Sequence, residues 1–342
     1  MVVLRADGKV VRPDFLRWLV SGPDWWDQVS KFINVGAVFD SLRCKDIPNF
    51  ELRVPPLNVQ REIATTLRAL DDRITLLRET NTTLEAIAQA LFKSWFVDFD
   101  PVRAKMAGRA PEGMDEATAA LFPDSFEDSE LGEVPRGWQA GTMDSLASLN
   151  PESWSAKHHP ERIHYIDLAN TKANHVDGIT EFTFDAAPSR ARRVLRAGDV
   201  IVGTVRPGNR SFARIAEDID GLTASTGFAV LRPRHEVDQA LVYIAATRDE
   251  AIDRLAHLAD GGAYPAVRPE VVGLTPLVIA PQDVRTAFGG VANALFASIG
   301  RNQERARLLA TLRDTLLPRL ISGQLRLPEA TEAVDHALTT TP

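Results

Sequence analysis

Arginine is concentrated in one stretch of the chain. Residues 186–214 hold seven arginines (Arg190, Arg192, Arg193, Arg196, Arg206, Arg210 and Arg214) against one acid, Asp199. The guanidinium is planar, always charged and able to donate in pairs, which suits it to phosphate and to the guanine edge. Within the stretch, Thr204-Val205-Arg206-Pro207-Gly208-Asn209-Arg210-Ser211 has the turn residues of a loop projecting from a strand. The candidate nucleic-acid contacts are therefore Arg206, Asn209 and Arg210, with Arg190, Arg192, Arg193 and Arg214 nearby mainly on phosphates. Tyr264 and Arg268 are weaker candidates, because their counterparts Phe39 and Arg43 in a repeat described below suggest scaffold or partner docking. The competing reading is that the arginines pair with residues 110–135, which carry eight acids and no Lys or Arg. The chain as a whole has 46 acidic and 39 basic residues, a formal charge of −7 over 342 residues, so any contact with nucleic acid must depend on where the charges sit.

Other chemistries lack their residues. Asn150-Pro151-Glu152-Ser153 and Asp98-Phe99-Asp100-Pro101 do not supply the Asn/Asp-Pro-Pro-aromatic loop that holds a flipped adenine. Gly261-Gly262 and Gly289-Gly290 lack the lysine of a phosphate loop. No lysine follows Pro123-Asp124 to complete a nuclease site, and His158, His159, His164 and His175 do not have metal-ligand spacing. No catalytic residue and no metal site are expected. Cys44 is the single cysteine and cannot form an internal disulfide; no leader-like opening and no apolar run of the roughly 18 to 20 residues needed to span a bilayer are seen. A cytoplasmic protein without a membrane role is expected.

The elements that must hold the arginines repeat. Shifting the chain by 225 positions superposes Gly36 on Gly261, Phe39 on Tyr264, Arg43 on Arg268, Leu52 on Leu277, Pro56 on Pro281, Ile74 on Ile299 and Leu91 on Leu316. Each copy reads as a short strand, a helix, a loop with Gly and an aromatic, an apolar strand ending in proline, and a long helix. Roughly residues 132–226 belong to the second copy alone. The chain is thus expected to begin inside a domain whose full version comes later, through a misplaced start or a truncated gene. The long helices carry heptad seams: Ile63, Leu67, Leu70, Ile74, Leu77, Leu84, Ala88, Leu91 and Trp95 in one, Phe288, Ala292, Leu295, Ile299, Ala306, Leu309, Leu316 and Leu320 in the other. Antiparallel packing with Asn81 opposite Asn302 makes nearly all remaining layers apolar and lets the two asparagines hydrogen-bond and fix the register; the alternative is that both are solvated where the seam drifts. From Trp138 to about Asp260 short β-like runs (residues 163–168, 199–202 and 227–231) precede a helix over 237–258. The fold class is α+β.

These residues resemble the specificity subunits of type I restriction–modification enzymes. The resemblance rests on Gly36-Ala37-Val38-Phe39-Asp40-Ser41-Leu42-Arg43, Val54-Pro55-Pro56-Leu57, Gln60-Arg61-Glu62-Ile63-Ala64, Leu70-Asp71-Asp72-Arg73-Ile74 and Leu91-Phe92-Lys93-Ser94-Trp95-Phe96. It continues in Phe122-Pro123-Asp124-Ser125-Phe126, Ser129-Glu130-Leu131-Gly132-Glu133-Val134-Pro135-Arg136-Gly137-Trp138 and Leu317-Pro318-Arg319-Leu320-Ile321-Ser322-Gly323-Gln324-Leu325.

The resemblance implies mixed α/β target-recognition domains joined by two long antiparallel coiled-coil helices, with a pseudo-twofold internal repeat. It implies a non-catalytic subunit that directs adenine methylation and cleavage to a bipartite site on double-stranded DNA. The partners implied are modification (methyltransferase) subunits and restriction subunits, to which S-adenosylmethionine, ATP and Mg belong; no cofactor is expected in this chain. The domain map is 1–56, the remnant of a first recognition domain; 57–97, the first conserved helix; 98–137, an acidic linker; 138–281, the second recognition domain; 282–325, the second conserved helix; and 326–342, a flexible tail. A remnant of this kind is expected to read at most one half-site and to expose Trp18, Trp25 and Trp26. The alternatives are a coiled-coil adaptor that binds only protein and a truncated subunit with impaired recognition.

Overall fold

A computed structural model describes residues 3–35 and 40–339; Gly36, Ala37, Val38 and Phe39 of the motif above lie outside the described residues. The helices are α1 (Pro13–Ser21), α2 (Pro23–Phe32), α3 (Leu57–Phe96), α4 (Asp100–Met106), α5 (Glu116–Ala120), α6 (Gln239–Thr247), α7 (Asp249–Leu258), α8 (Pro269–Gly273), α9 (Gln282–Ile321) and α10 (Leu327–Thr339). The strands are β1 (Phe126–Ser129), β2 (Gly132–Pro135), β3 (Gln139–Thr142), β4 (Ala147–Leu149), β5 (Arg162–Ile166), β6 (Thr171–Lys172), β7 (His175–Val176), β8 (Thr180–Thr183), β9 (Ala191–Val194), β10 (Val200–Gly203), β11 (Phe212–Arg214), β12 (Leu222–Ser225), β13 (Phe228–Pro233) and β14 (Pro276–Ile279). The chain divides into two compact units, residues 1–82 with 300–342, and residues 83–299. Both α3 and α9 are 40 residues long, and their ends correspond under the 225-residue shift. No described helix is long and apolar enough to cross a membrane.

In the first unit the heptad seam is buried as its spacing requires. Ile63, Leu67, Leu70, Ile74 and Leu77 of α3 share a core with Ala306, Leu309, Leu316 and Leu320 of α9. Asn302 Nδ2 donates to Asn81 Oδ1 at 2.8 Å, and Arg313 Nη1 donates to Asp71 Oδ1 at 2.7 Å, so the two helices run antiparallel here. Phe15, Trp18 and Leu19 of α1 complete this core. The expectation of three exposed tryptophans is thereby corrected. Trp18 is buried against the long helices, Trp25 is half-buried with its ring 5.0 Å from that of Phe50, and Trp26 is exposed at 58%.

A polar clamp ties the start of each long helix to the chain around it. Gln60 is 0% exposed; its Oε1 accepts from the Arg12 N–H at 2.8 Å, and its Nε2 donates to the carbonyls of Val10 (2.8 Å) and Pro55 (2.7 Å). The residue 225 positions on, Arg285, donates from Nε to the carbonyl of Ala280, the repeat partner of Pro55, at 3.1 Å and pairs with the buried Asp238. Different side chains thus satisfy the equivalent carbonyl, that of Pro55 or of Ala280, at the two helix entries.

The second unit is a β-sandwich backed by helices. One sheet has the order β11-β10-β13-β4 with antiparallel neighbours, and the other is β8-β5-β12-β9 with β5 and β12 parallel. Strand periodicity assigns the faces. Ile201 and Val230 point into the core shared with Ile166, Leu222 and Ala224 of the other sheet. Their neighbours Val200, Val202, Ala229 and Leu231 point into the core built with α6 and the helical residues Ala88, Trp95, Phe288 and Ala292. A Cβ on Gly289 of α9 would collide with the Val237 carbonyl oxygen, so glycine permits this close approach.

Four further expectations differ from the structure, the first being the flexible tail over 326–342: residues 327–339 form α10, whose Ala330 and Val334 are buried in the first unit's core. The helix foreseen over 237–258 is two helices, broken at Arg248 (ψ 154°), where Asp249 and Glu250 supply the acidic first turn of α7. The strand foreseen near Val3 and the one ending at Pro56 do not form among the described residues. The counterpart of the latter, β14, forms because β3 pairs with it from Pro276↔Thr142 to Ile279↔Gln139.

Two outcomes follow from these contacts. Gln60→Ala strands one donor and two acceptors and is expected to cost about 2 to 3 kcal/mol in denaturant unfolding, whereas alanine at the exposed neighbour Arg61 changes stability by less than about 0.5 kcal/mol. Tyr243 is fully buried and donates from its hydroxyl to Glu85 Oε1 at 2.5 Å; burial first, then the Glu85 charge, pushes its phenol well above the ordinary range. The unfolded chain therefore ionises this tyrosine first. Stability present below about pH 10 is lost as pH rises beyond it, and Tyr243→Phe should remove that part of the alkaline decline in unfolding measured between about pH 9 and 11.

Candidate nucleic-acid interface

Between β10 and β11, residues 204–211 form a loop under backbone strain. Pro207–Asn209 makes a 3-10 turn flanked by two left-handed arginines, Arg206 (φ 48°) and Arg210 (φ 61°). Each such non-glycine residue costs on the order of 1 kcal/mol and persists only where surrounding bonds overdetermine it. Here they do. The Thr204 N–H and hydroxyl both donate to the Gly227 carbonyl at 2.8 Å, the Arg206 N–H donates to Pro265 O at 2.7 Å, and the Val267 N–H donates back to Thr204 O at 2.9 Å. Residues 204–206 are thereby zipped to the loop that carries Tyr264 and Arg268.

Several predicted residues gather at this place. The Arg206 guanidinium lies over the Tyr264 ring at 4.4 Å and donates from Nη2 to the Ala263 carbonyl at 2.7 Å. Asn209 and Arg268 are exposed, and Arg268 immediately precedes α8. Arg210 Nη2 pairs with Asp249 Oδ1 at 2.7 Å. Arg190 donates from Nε to the Tyr165 hydroxyl at 2.9 Å, lies 3.6 Å from Asp167, and accepts at its carbonyl from the Thr226 N–H, the residue before Gly227. The hydrogen bond raises the Arg190 pKa from its ordinary value, so the cation is fixed.

A basic element that the charge count overlooked adjoins Arg210. Strands β6 and β7 form a hairpin whose turn residues, Ala173 (φ 43°) and Asn174 (φ 64°), are both left-handed. The Ala173 N–H donates to Arg210 O at 2.9 Å and the Asn174 N–H to Phe212 O at 2.8 Å, which lays the hairpin along β11 with Lys172 and His175 exposed. Asn in a two-residue turn between Lys172 and His175 was the available signal.

Other predicted arginines point elsewhere. Arg192 and Arg193 are consecutive on β9 where its pairing with β12 shifts register, Ala224 facing Arg193 and Ser225 facing Ala191, and both are half-buried. The first lies over Phe184 at 4.8 Å, and the second donates to Ser153 Oγ at 3.2 Å, with burial lowering its pKa from the ordinary value. Arg214 is turned inward. It donates to Gln239 Oε1 at 3.0 Å and sits 5.8 Å from the Phe296 ring, and burial lowers its pKa although Tyr243 opposes the shift. Arg196 joins Glu152, Arg232 and the buried Asp199 in one network, in which Arg232 makes two 2.8 Å bonds to Asp199. The acids that these arginines meet are Asp167, Glu152 and Asp249, none of them in the acidic segment 110–135. Among the described residues, no group of three or more His, Cys, Asp or Glu side chains could hold a metal ion.

Known proteins share this sequence pattern. Residues 28–86 match the family model for the type I restriction modification DNA specificity domain. The chain is 23% identical to the HindI type I restriction enzyme specificity subunit of Haemophilus influenzae over 95% of its own length and 80% of that subunit. It is 24% identical to the MjaIX specificity subunit of Methanocaldococcus jannaschii over 87% of its own length and 66% of that protein. The crystal structure of an S subunit from M. genitalium aligns at 15% identity and a TM-score of 0.48, covering 92% of this chain and 74% of that one. The specificity-domain match falls on the first copy of the repeat, and the chain is similar along most of its length to specificity subunits of type I restriction enzymes.

Proposed function

We propose that this chain is the DNA sequence-recognition subunit of a type I restriction–modification complex and performs no catalysis itself. It directs adenine methylation and cleavage to a double-stranded DNA target. Modification and restriction subunits are its protein partners, and S-adenosylmethionine, ATP and Mg belong to them. The observation that carries the reading is the second unit's set of exposed or partly exposed cations on overdetermined loops: Arg190, Arg206 and Arg210, with Asn209, Arg268 and Lys172 beside them. Preorganised donors bind a charged, hydrogen-bonding surface without ordering themselves first. In this reading Arg192 and Arg193 flank the contact, Arg214 braces it from within, and Asn81 with Asn302 holds the helix register.

The coiled helices are the parts suited to carry the modification subunits, and the repeat gives the chain two similar places at which to do so. An adaptor that binds only protein would have no use for a strained arginine loop at the end of a sheet.

The salt dependence of DNA binding tests this reading. In the complex with modification subunits, Arg190→Ala and Lys172→Ala are each expected to reduce the slope of log affinity against log salt by about one and to weaken binding to all sequences alike. Unchanged slopes in both variants, with subunit assembly intact, overturn the placement of this DNA face.

A further inference from the structure

Among the loop arginines Arg190, Arg206 and Arg210, which are exposed or partly exposed, the second stands apart. Arg190 is committed to Tyr165 and Asp167, and Arg210 to Asp249, whereas no carboxylate among the described residues lies within ion-pair distance of Arg206. Its guanidinium is nonetheless held still: one of its five N–H groups goes to the Ala263 carbonyl, and the plane of charge lies over the Tyr264 ring at 4.4 Å. Tyr264 is 70% exposed, and so contributes little to the core for so large a ring. Its backbone is also fixed from both sides. The Tyr264 N–H donates to Gly261 O at 3.0 Å, and the next residue, Pro265, accepts from Arg206 itself at 2.7 Å.

We infer that Arg206 reads a guanine edge in the major groove of the target and that Tyr264 is its positioning residue. The inference rests on the DNA-recognition reading given above. A contact to phosphate needs only charge within reach and tolerates a mobile side chain, whereas the pair of donors that meets guanine O6 and N7 must lie in one plane at one place. The four N–H groups that remain on Arg206 include such a pair. The ring face and the Ala263 carbonyl fix the plane before DNA arrives, and the left-handed backbone at Arg206 sets the point from which it projects. Lysine at the same position would keep the charge and lose both the plane and the paired donors.

The test uses the full chain assembled with its modification subunits and a panel of duplexes in which each base pair of the target is replaced in turn, with methylation rate as the readout. Arg206→Ala is expected to lose about 10- to 100-fold of discrimination at a single G·C pair while discrimination elsewhere stays intact. Arg206→Lys should lose most of the same discrimination. Tyr264→Ala should relax that pair and no other, by about 5-fold, and Tyr264→Phe, which keeps the ring and the fold, should leave the profile unchanged. A uniform loss over all sequences in Arg206→Ala, with a salt slope lowered by about one, makes Arg206 a phosphate contact and overturns the assignment. Relaxation at an A·T pair, or at different pairs in the Arg206 and Tyr264 variants, overturns it as well. If the unaltered complex methylates duplexes without sequence preference, the recognition reading falls first and this assignment with it.

Discussion

Two 40-residue helices, each with an apolar stripe along its length, set the terms for everything else in this chain. An isolated stripe of that kind is unstable in water, and tertiary packing rather than helix propensity must stabilise it. In the first unit the partner stripe and α1 supply that packing; in the second, α6 and the sheet face of Val200, Val202, Ala229 and Leu231 do so. Apolar layers alone do not specify one register, because sliding by a heptad preserves them. The Asn81–Asn302 bond, and in the same unit the bond from Arg313 to Asp71, distinguish one alignment from its neighbours.

The clamps at Gln60 and Arg285 solve a second constraint. Where a chain turns into a long helix inside a core, the carbonyls on the way in face no water, and each one left bare costs about 1 to 3 kcal/mol. The two copies keep the solution and vary the chemistry. A neutral amide suffices in the first, while the second uses a guanidinium and therefore needs the buried Asp238 to balance its charge. Arg285 consequently depends on a partner 47 residues away, which binds the helix entry to the chain segment leading into α6.

The parts of this architecture that were legible in the sequence are those written as periodicity. The heptad seams, the shift of 225 and the Asn81/Asn302 pairing follow from the spacing of residues along helices, and spacing survives folding. Environments do not show themselves that way. Arg192 and Arg193 are neighbours in the chain but sit where β9 shifts register against β12, and they meet different partners, Phe184 and Ser153. Arg214 reads as one more surface cation until β11 places it against Phe296, and Asp199 reads as the lone acid of a basic stretch until Arg232 closes on it. The clamp at Gln60 interrupts no pattern, so only a comparison of the two copies position by position, polar with polar at 60 and 285, would have marked it. The break at Arg248 lay in the acidic pair that follows it, a signal for a new helix start that the apolar run before it obscured.

Charge placement explains how an acidic chain can present a basic face. Of the seven arginines in residues 186–214, Arg214 is held within the fold, Arg196 is paired at the surface with Glu152, and Arg192 and Arg193 are turned against Phe184 and Ser153. Their charges are largely screened or balanced at short range, and they add little to the field outside the protein. The cations that remain at the loop ends differ in how much of their charge is free: Arg190 and Arg210 each meet a carboxylate, and Arg206 meets an aromatic face and a carbonyl. A carboxylate partner must be given up when an arginine moves to a new anion, whereas a ring face remains in contact while the donor edge is used. A fold that needs some arginines to bind broadly and one to discriminate can make that distinction by the choice of partner alone, and the loop that zips residues 204–206 to the Tyr264 segment makes it within a few ångströms.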